Sequence, residues 1–219
     1  MAVVPYRAFL ATLSPTQAER SEATRAALIA AARALFAERG YAAVSTGEIV
    51  DRAQVTRGAL YHHFKDKQAL FEAVHEALEA ELVVRIGQGL AADATPKGSL
   101  DLLLAGTDLF LDACEEPTFA RIALQEAPSV LGWQRWREID AKYSMGLITG
   151  VLGQGMKTGE LHPQPVEPLA HLLLGALGEA GLLIASGVPR AQVRAPLHAV
   201  LEGLLANRSQ QIPSPDHLG

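Results

Sequence analysis

The sequence predicts an all-α chain of about nine helices, with a three-helix N-terminal unit followed by a larger helical bundle. Two observations carry this. No stretch alternates apolar and polar residues with period two for long, and Asn-Gly and Asp-Gly hairpin pairs are absent. Apolar residues instead recur at spacings of three and four, and Pro96, Pro117, Pro128, Pro163, Pro165 and Pro189 stand between the periodic stretches, where proline is tolerated.

Residues 1–20 read as a flexible arm ending near Ser14-Pro15, in which Arg7 could brush a nucleic acid. A first helix is expected over 22–39, capped by Ser21, with Leu28, Ala32, Leu35 and Phe36 on one stripe and Gly40 closing it. A short second helix follows Thr46 as N-cap and turns Ile49, Val50 and Ala53 inward. After a break at Gln54-Val55, Thr56 caps a third helix ending at Phe64. A long helix over 67–90 carries Leu70, Phe71, Val74, Leu78 and Leu82 at helical spacing. Further helices are expected over 100–114, 117–126, 131–158, 166–186 and 190–207, and a disordered tail over 208–219. The organisation is thus arm 1–20, first domain 21–68, second domain 69–207, and tail.

The chain has 219 residues and a net charge of −5. That total hides an asymmetry: residues 1–70 hold nine Lys/Arg against six Asp/Glu, and the remainder ten against eighteen. Phosphate attraction acts over a Debye length of about 8–10 Å, so the local sign outweighs the sum. A lone Cys114 excludes an internal disulfide and fits a cytoplasmic protein. Met1–Leu13 lacks the cationic start and cleavage site of a signal peptide, and apolar runs such as Leu169–Leu174 are too short for a membrane span.

Residues 46–70 carry the function. They describe two short helices joined by a tight turn, with Ile49, Ala53, Val55, Leu60 and Phe64 as the wedge between them. Such a helix-turn-helix offers its second helix to a DNA major groove. At about 100° per residue, Leu60 and Phe64 point into the wedge, while Gly58 and His62 point away and Ala59 and Tyr61 flank that outer face. Arg57 can fork onto guanine O6 and N7, Ala59 can meet a thymine methyl, and Gly58 admits close backbone approach. Thr46, Thr56, Tyr61 and Lys67 suit phosphate oxygens.

These residues resemble the DNA-binding domain of the TetR/AcrR family of bacterial regulators. The matching features are Phe36-Ala37-Glu38-Arg39-Gly40-Tyr41, Thr46, and the run from Ala53 to Leu70. Departures are Val50, where alanine is common, and Gln54, where glycine is usual and supplies the turn. The resemblance implies phosphate contacts from Thr46, Thr56, Tyr61 and Lys67, base contacts from Arg57, Gly58 and His62, and a packing role for His63. It further implies a homodimeric repressor on a palindromic operator in double-stranded DNA, released by a small-molecule effector, with no cofactor and no membrane partner.

The segment Phe119–Trp133 with Trp136-Arg137-Glu138-Ile139-Asp140 resembles a recurrent subtype of TetR effector domain. Phe110, Phe119, Arg121, Trp133, Trp136 and Tyr143 are the candidate effector contacts, with ordinary core packing as the competing reading; Met145 belongs to the same group. Arg121 could pair with Glu126 or with an anionic effector. In the family the last two helices dimerise, which implies an interface from Leu174, Gly175, Gly178, Gly181, Leu197, Leu201 and Leu204.

Other patterns point to packing or surface. His75-Glu76 opens like a zinc-protease helix, but residue 79 is Glu where a second His is required. Glu167 and His171 read as a surface pair, His62 and His63 face apart, and Gly150-x-x-Gly153-x-Gly155 lacks the strand a dinucleotide loop needs. Cys114 has no cationic sequence neighbour and reads as a small buried hydrophobe. No metal site is expected. An enzyme would need a convergent nucleophile–base or metal set, which cannot be assembled here. A protein-binding adaptor is disfavoured by intact Arg57, Tyr61 and Lys67.

Overall fold

The computed structural model describes residues 16–92 and 98–205. The expected arm up to Pro15, Arg7 within it, Pro96 and the tail lie outside these residues. The described chain is helical throughout, apart from turns and one isolated bridge between Leu161 and Leu205. In chain order the helices are α1 (Gln17–Arg39), α2 (Thr46–Ala53), α3 (Arg57–His63), α4 (Lys67–Ala92), α5 (Ser99–Cys114), α6 (117–131), α7 (Trp133–Lys157), α8 (Val166–Ala185) and α9 (Arg190–Glu202). Two compact units divide at Ala77/Leu78, inside α4 rather than at residue 68.

In the first unit, α1 begins five residues earlier than expected. Thr16, not Ser21, caps it: its hydroxyl accepts from Glu19 N while the Glu19 carboxylate accepts from Thr16 N. Ser45, not Thr46, caps α2 in the same reciprocal way with Glu48, and Thr46 becomes the first helical residue. Two ion pairs tie α1 to α2, Arg52 forking onto Glu38 at 3.1 and 2.9 Å and Arg39 meeting Glu48 at 2.7 Å. Arg39 and the Ser45 cap hold the Glu48 carboxyl down at about 2. Leu28, Phe36, Ile49, Leu60, Leu70, Phe71 and Val74 are fully buried and form the core.

In the second unit, residues 117–131 form one run that widens into a π-helix over Ala120–Glu126. Its last wide bond, Ala127 N to Ile122 O, immediately precedes Pro128, which has no N–H to continue the α pattern. The last helix stops at Glu202 rather than 207: residues 203 and 204 form a turn, Leu204 O accepts from His162 N, and Leu205 bridges Leu161. Helix α8 is 20 residues long with a mean hydropathy of 1.6, enough by length and composition alone to cross a bilayer. Ala170, Leu173, Leu174, Gly178, Ala180, Gly181 and Ile184 bury one side of it within the unit.

That burial corrects the expected interface. Leu174, Gly178, Gly181 and Leu201 face the unit's own interior. Gly178 leaves room for the Arg137 guanidinium, which would lie 3.2 Å from an added Cβ, and Gly181 for Leu124, Cys114 and Phe110. Gly175, Leu197 and Leu204 are half-buried. The large apolar side chains that α8 and α9 do expose are Leu172, Leu183 and Val200.

Burial lowers the His75 imidazole to about 4, with Glu72 pulling the other way. The unfolded chain therefore takes up the proton first, so this residue's contribution is intact above about pH 6.5 and lost as pH falls toward 4. Wild type should lose about 2 kcal/mol more than His75→Leu between pH 7 and pH 5. Parallel urea-midpoint curves for the two proteins would contradict a buried neutral His75.

Candidate nucleic-acid interface and a buried cavity

Helix α3 has only seven residues, too few to persist alone. It is held by its N-cap, where Thr56 Oγ1 accepts from Ala59 N at 3.1 Å, and by Leu60 and Phe64, which are buried among α1 and α2 residues. Ile49 completes the wedge, whereas Ala53 and Val55 are half-buried at its rim. Arg57, Gly58, Tyr61 and His62 are exposed on the opposite side, with Ala59 half-buried between them. The turn before α3 puts Gln54 in the left-handed region at φ 56°, and Val55 N reaches back to Val50 O at 3.0 Å. This closing bond is the Schellman arrangement that glycine usually completes. His63 lies half-buried beside Phe64, as its packing role requires, but its ring also meets that of His62 edge-on at 5.2 Å.

Lys67 departs from the expected role. Its ammonium donates to Tyr41 O and Val44 O, both at 2.9 Å, and sits 4.1 Å from the Tyr41 ring centre. The carbonyls of the α1–α2 loop have no intrahelical partners and draw the charge inward. Lys67 therefore positions that loop, with two of its three N–H donors committed to carbonyls.

A cavity lies within the second unit, with about 940 Å³ of empty space including its opening. Its walls come from α4, α5, α7, α8 and α9 and are apolar except at Glu79, Asp140, Thr107 and Ser144. Glu79 is 3% exposed, and burial together with Asp140 pushes its carboxyl well above the usual range. Burial likewise pushes Asp140 up to about 6, against the pull of Arg137, whose Nη1 lies 3.2 Å from its Oδ2. The same Nη1 donates to Leu174 O at 3.4 Å.

Comparison with known proteins agrees with this geometry. Residues 28–74 match the family described as "Bacterial regulatory proteins, tetR family", and residues 100–207 match "Tetracyclin repressor-like, C-terminal domain". A TetR-family transcriptional regulator from Pectobacterium atrosepticum is 33% identical, with a TM-score of 0.71 over 87% of this chain and 98% of that one. The chain belongs to the TetR family. Its members named in these matches are DNA-binding transcriptional regulators, not enzymes. The transposon Tn10 TetC protein of Escherichia coli is 29% identical over 73% of this chain and 79% of its own length. The regulator AcrR of Shigella flexneri is 41% identical over 64 residues, only 29% of this chain and 30% of that one. RolR, solved with the ligand resorcinol, shares the fold with a TM-score of 0.69 over 86% of this chain and 90% of its own, at 20% identity.

Set within a TetR-family second domain, the expected effector residues scatter. Phe110 lines the cavity. Phe119 and Trp136 are buried in the surrounding core, while Trp133 is 59% exposed and its ring lies tilted against that of Trp136, centroids 4.8 Å apart. Arg121 and Tyr143 are half-buried and line no part of the cavity. Glu79 and Asp140 line the cavity without standing among the effector residues expected from sequence. The place of Glu79 on the apolar stripe between Phe71, Leu78, Leu82 and Ile86 was the available signal. Cys114 is buried, which pushes its thiol up and leaves it a small hydrophobe.

Two outcomes follow for the first unit. Gln54→Gly should stabilise by about 1 kcal/mol, read as a higher urea midpoint, because the left-handed strain disappears. Lys67→Met should cost about 1–3 kcal/mol through the orphaned carbonyls. In a DNA titration its log K against log salt slope should match wild type, whereas loss of a phosphate contact would shallow it by about 0.9.

Proposed function

We propose that this TetR-family regulator is a homodimeric, cytoplasmic repressor that binds a palindromic operator and leaves it when a small-molecule effector fills the second-unit cavity. The observation that carries the reading is the sidedness of α3. Leu60 and Phe64 are buried while Arg57, Gly58, Tyr61 and His62 are exposed on the reverse side. Arg57 is the base reader, forking onto guanine at the helix start, with Gly58, Ala59 and His62 beside it in the major groove. Thr46, Thr56 and Tyr61 take phosphates, the two threonines at the N-terminal ends of α2 and α3, where helix dipoles favour anions.

Dimerisation accounts for the exposed aliphatic side chains of α8, Leu172 at 72% and Leu183 at 39%, while on α9 Val200, 56% exposed, borders the cavity. Exposed aliphatic side chains of this kind favour a second copy related by a two-fold axis, and a two-fold protein requires an inverted-repeat site. Effector response fits the path of α4. Its first turns carry Lys67, Leu70 and Phe71 of the DNA-binding unit, and Glu79, Leu82 and Ile86 on its later turns line the cavity. A ligand that repositions α4 by its differential affinity for two states would alter operator affinity.

Selection from random duplexes should recover an inverted repeat with half-site centres about 34–36 Å apart. On that duplex Arg57→Ala should lose about 1–3 kcal/mol and relax one base position. Equal binding by variant and wild type would reject this face as the reader. Leu172→Glu should shift the protein to monomer in sedimentation and weaken operator binding, and an unchanged dimer would move the interface elsewhere.

A further inference from the structure

The cavity's polar chemistry specifies what can enter it. Among the described residues no Lys, Arg or His lines it, and the charged types that do are the carboxyls of Glu79 on α4 and Asp140 on α7. Arg137 is the nearby cation, and it is already committed to Asp140 Oδ2 and to Leu174 O on α8. Gly178 leaves the guanidinium the space to lie there, since a Cβ at that position would come 3.2 Å from it. An entering anion would thus face two carboxyls and would have to pull Arg137 off two partners, in surroundings where water screens little. A group with N–H or O–H to donate meets the opposite situation, because each carboxyl keeps acceptor lone pairs in either protonation state. Thr107 and Ser144, on α5 and α7, add hydroxyls to the lining, while Leu82, Ile86 and Phe110 furnish apolar wall.

We propose that the cavity selects an apolar molecule with a hydrogen-bond-donating head, an amine or a hydroxyl, received by Glu79 and Asp140, and that it rejects carboxylates and other anions. The proposal rests on the reading of this cavity as the effector site. Glu79 is the discriminating residue: at 3% exposure its carboxyl lies in the cavity wall out of reach of bulk water.

Calorimetric titration of the full chain with phenylbutylamine, phenylbutanol, phenylbutanoate and butylbenzene tests it, since the four share one skeleton. The amine or the alcohol, or both, should bind about tenfold or more tighter than phenylbutanoate, and which of them leads identifies the head group. Glu79→Gln and Asp140→Asn should each narrow that preference while leaving butylbenzene affinity unchanged, an outcome that a collapsed cavity could not give. Should Glu79→Gln fail to fold, the wild-type series and Asp140→Asn still decide. Phenylbutanoate binding as tightly as the amine and the alcohol would overturn the donor-head inference and leave the effector cavity standing. Failure of all four to bind would overturn both.

Discussion

Burial of Leu60 and Phe64 is the constraint on which the DNA-binding unit depends. A seven-residue helix has no stability of its own in water. Each of those side chains, by contrast, contributes about 1.5–3 kcal/mol when taken out of solvent. Once they are fixed in the core against α1 and α2, the helix has no rotational freedom left. At 100° per residue, Arg57, Gly58, Tyr61 and His62 are then presented outward. Specific reading of a base edge needs this rigidity, because a bidentate fork tolerates little angular error.

The charges of the first unit divide into two groups with different work. Arg39 and Arg52 close ion pairs to Glu48 and Glu38, and Lys67 is sealed onto two backbone carbonyls. These hold α1, α2 and the intervening loop in place, so the net positive count of the segment overstates what reaches a phosphate. Arg57 and Lys65 remain exposed. The second unit shows the opposite economy of charge, with two carboxyls and a guanidinium taken into an apolar interior. Burying an ionisable group is costly unless it is paired or neutralised. The upward shifts of Glu79 and Asp140 are the form that cost takes here. Groups held this way tend to mark sites where something must be recognised rather than positions that stabilise a fold.

Helix positions, caps and the wedge were legible in the chain because they follow from local spacing. Thr56 as the α3 cap, the core stripe of Leu28, Leu35 and Phe36, and the outward set on α3 all needed only the 3.6-residue period. The strained turn at Gln54 was likewise legible, since a non-glycine residue stands where the family uses glycine. Caps one residue off, at Ser45 for Thr46, and five off, at Thr16 for Ser21, reflect competition between adjacent hydroxyls that spacing alone cannot rank.

The tertiary structure decided which way ambiguous side chains turn. Helix α8 is apolar nearly all round, so periodicity could not tell that Gly178 and Gly181 face Arg137 and Phe110 inside the unit while Leu172 faces out. Lys67 looked like any exposed lysine until the loop carbonyls of Tyr41 and Val44 were placed around its ammonium. Glu79 and Asp140 are 61 residues apart, and only packing of α4 with α7 makes them neighbours in one cavity. Sequence by itself determined the helices and the outward side chains of α3, because each is a property of a few consecutive residues. The partner of a buried charge and the inner face of a uniformly apolar helix depend on contacts between distant segments, and those exist only in the folded chain.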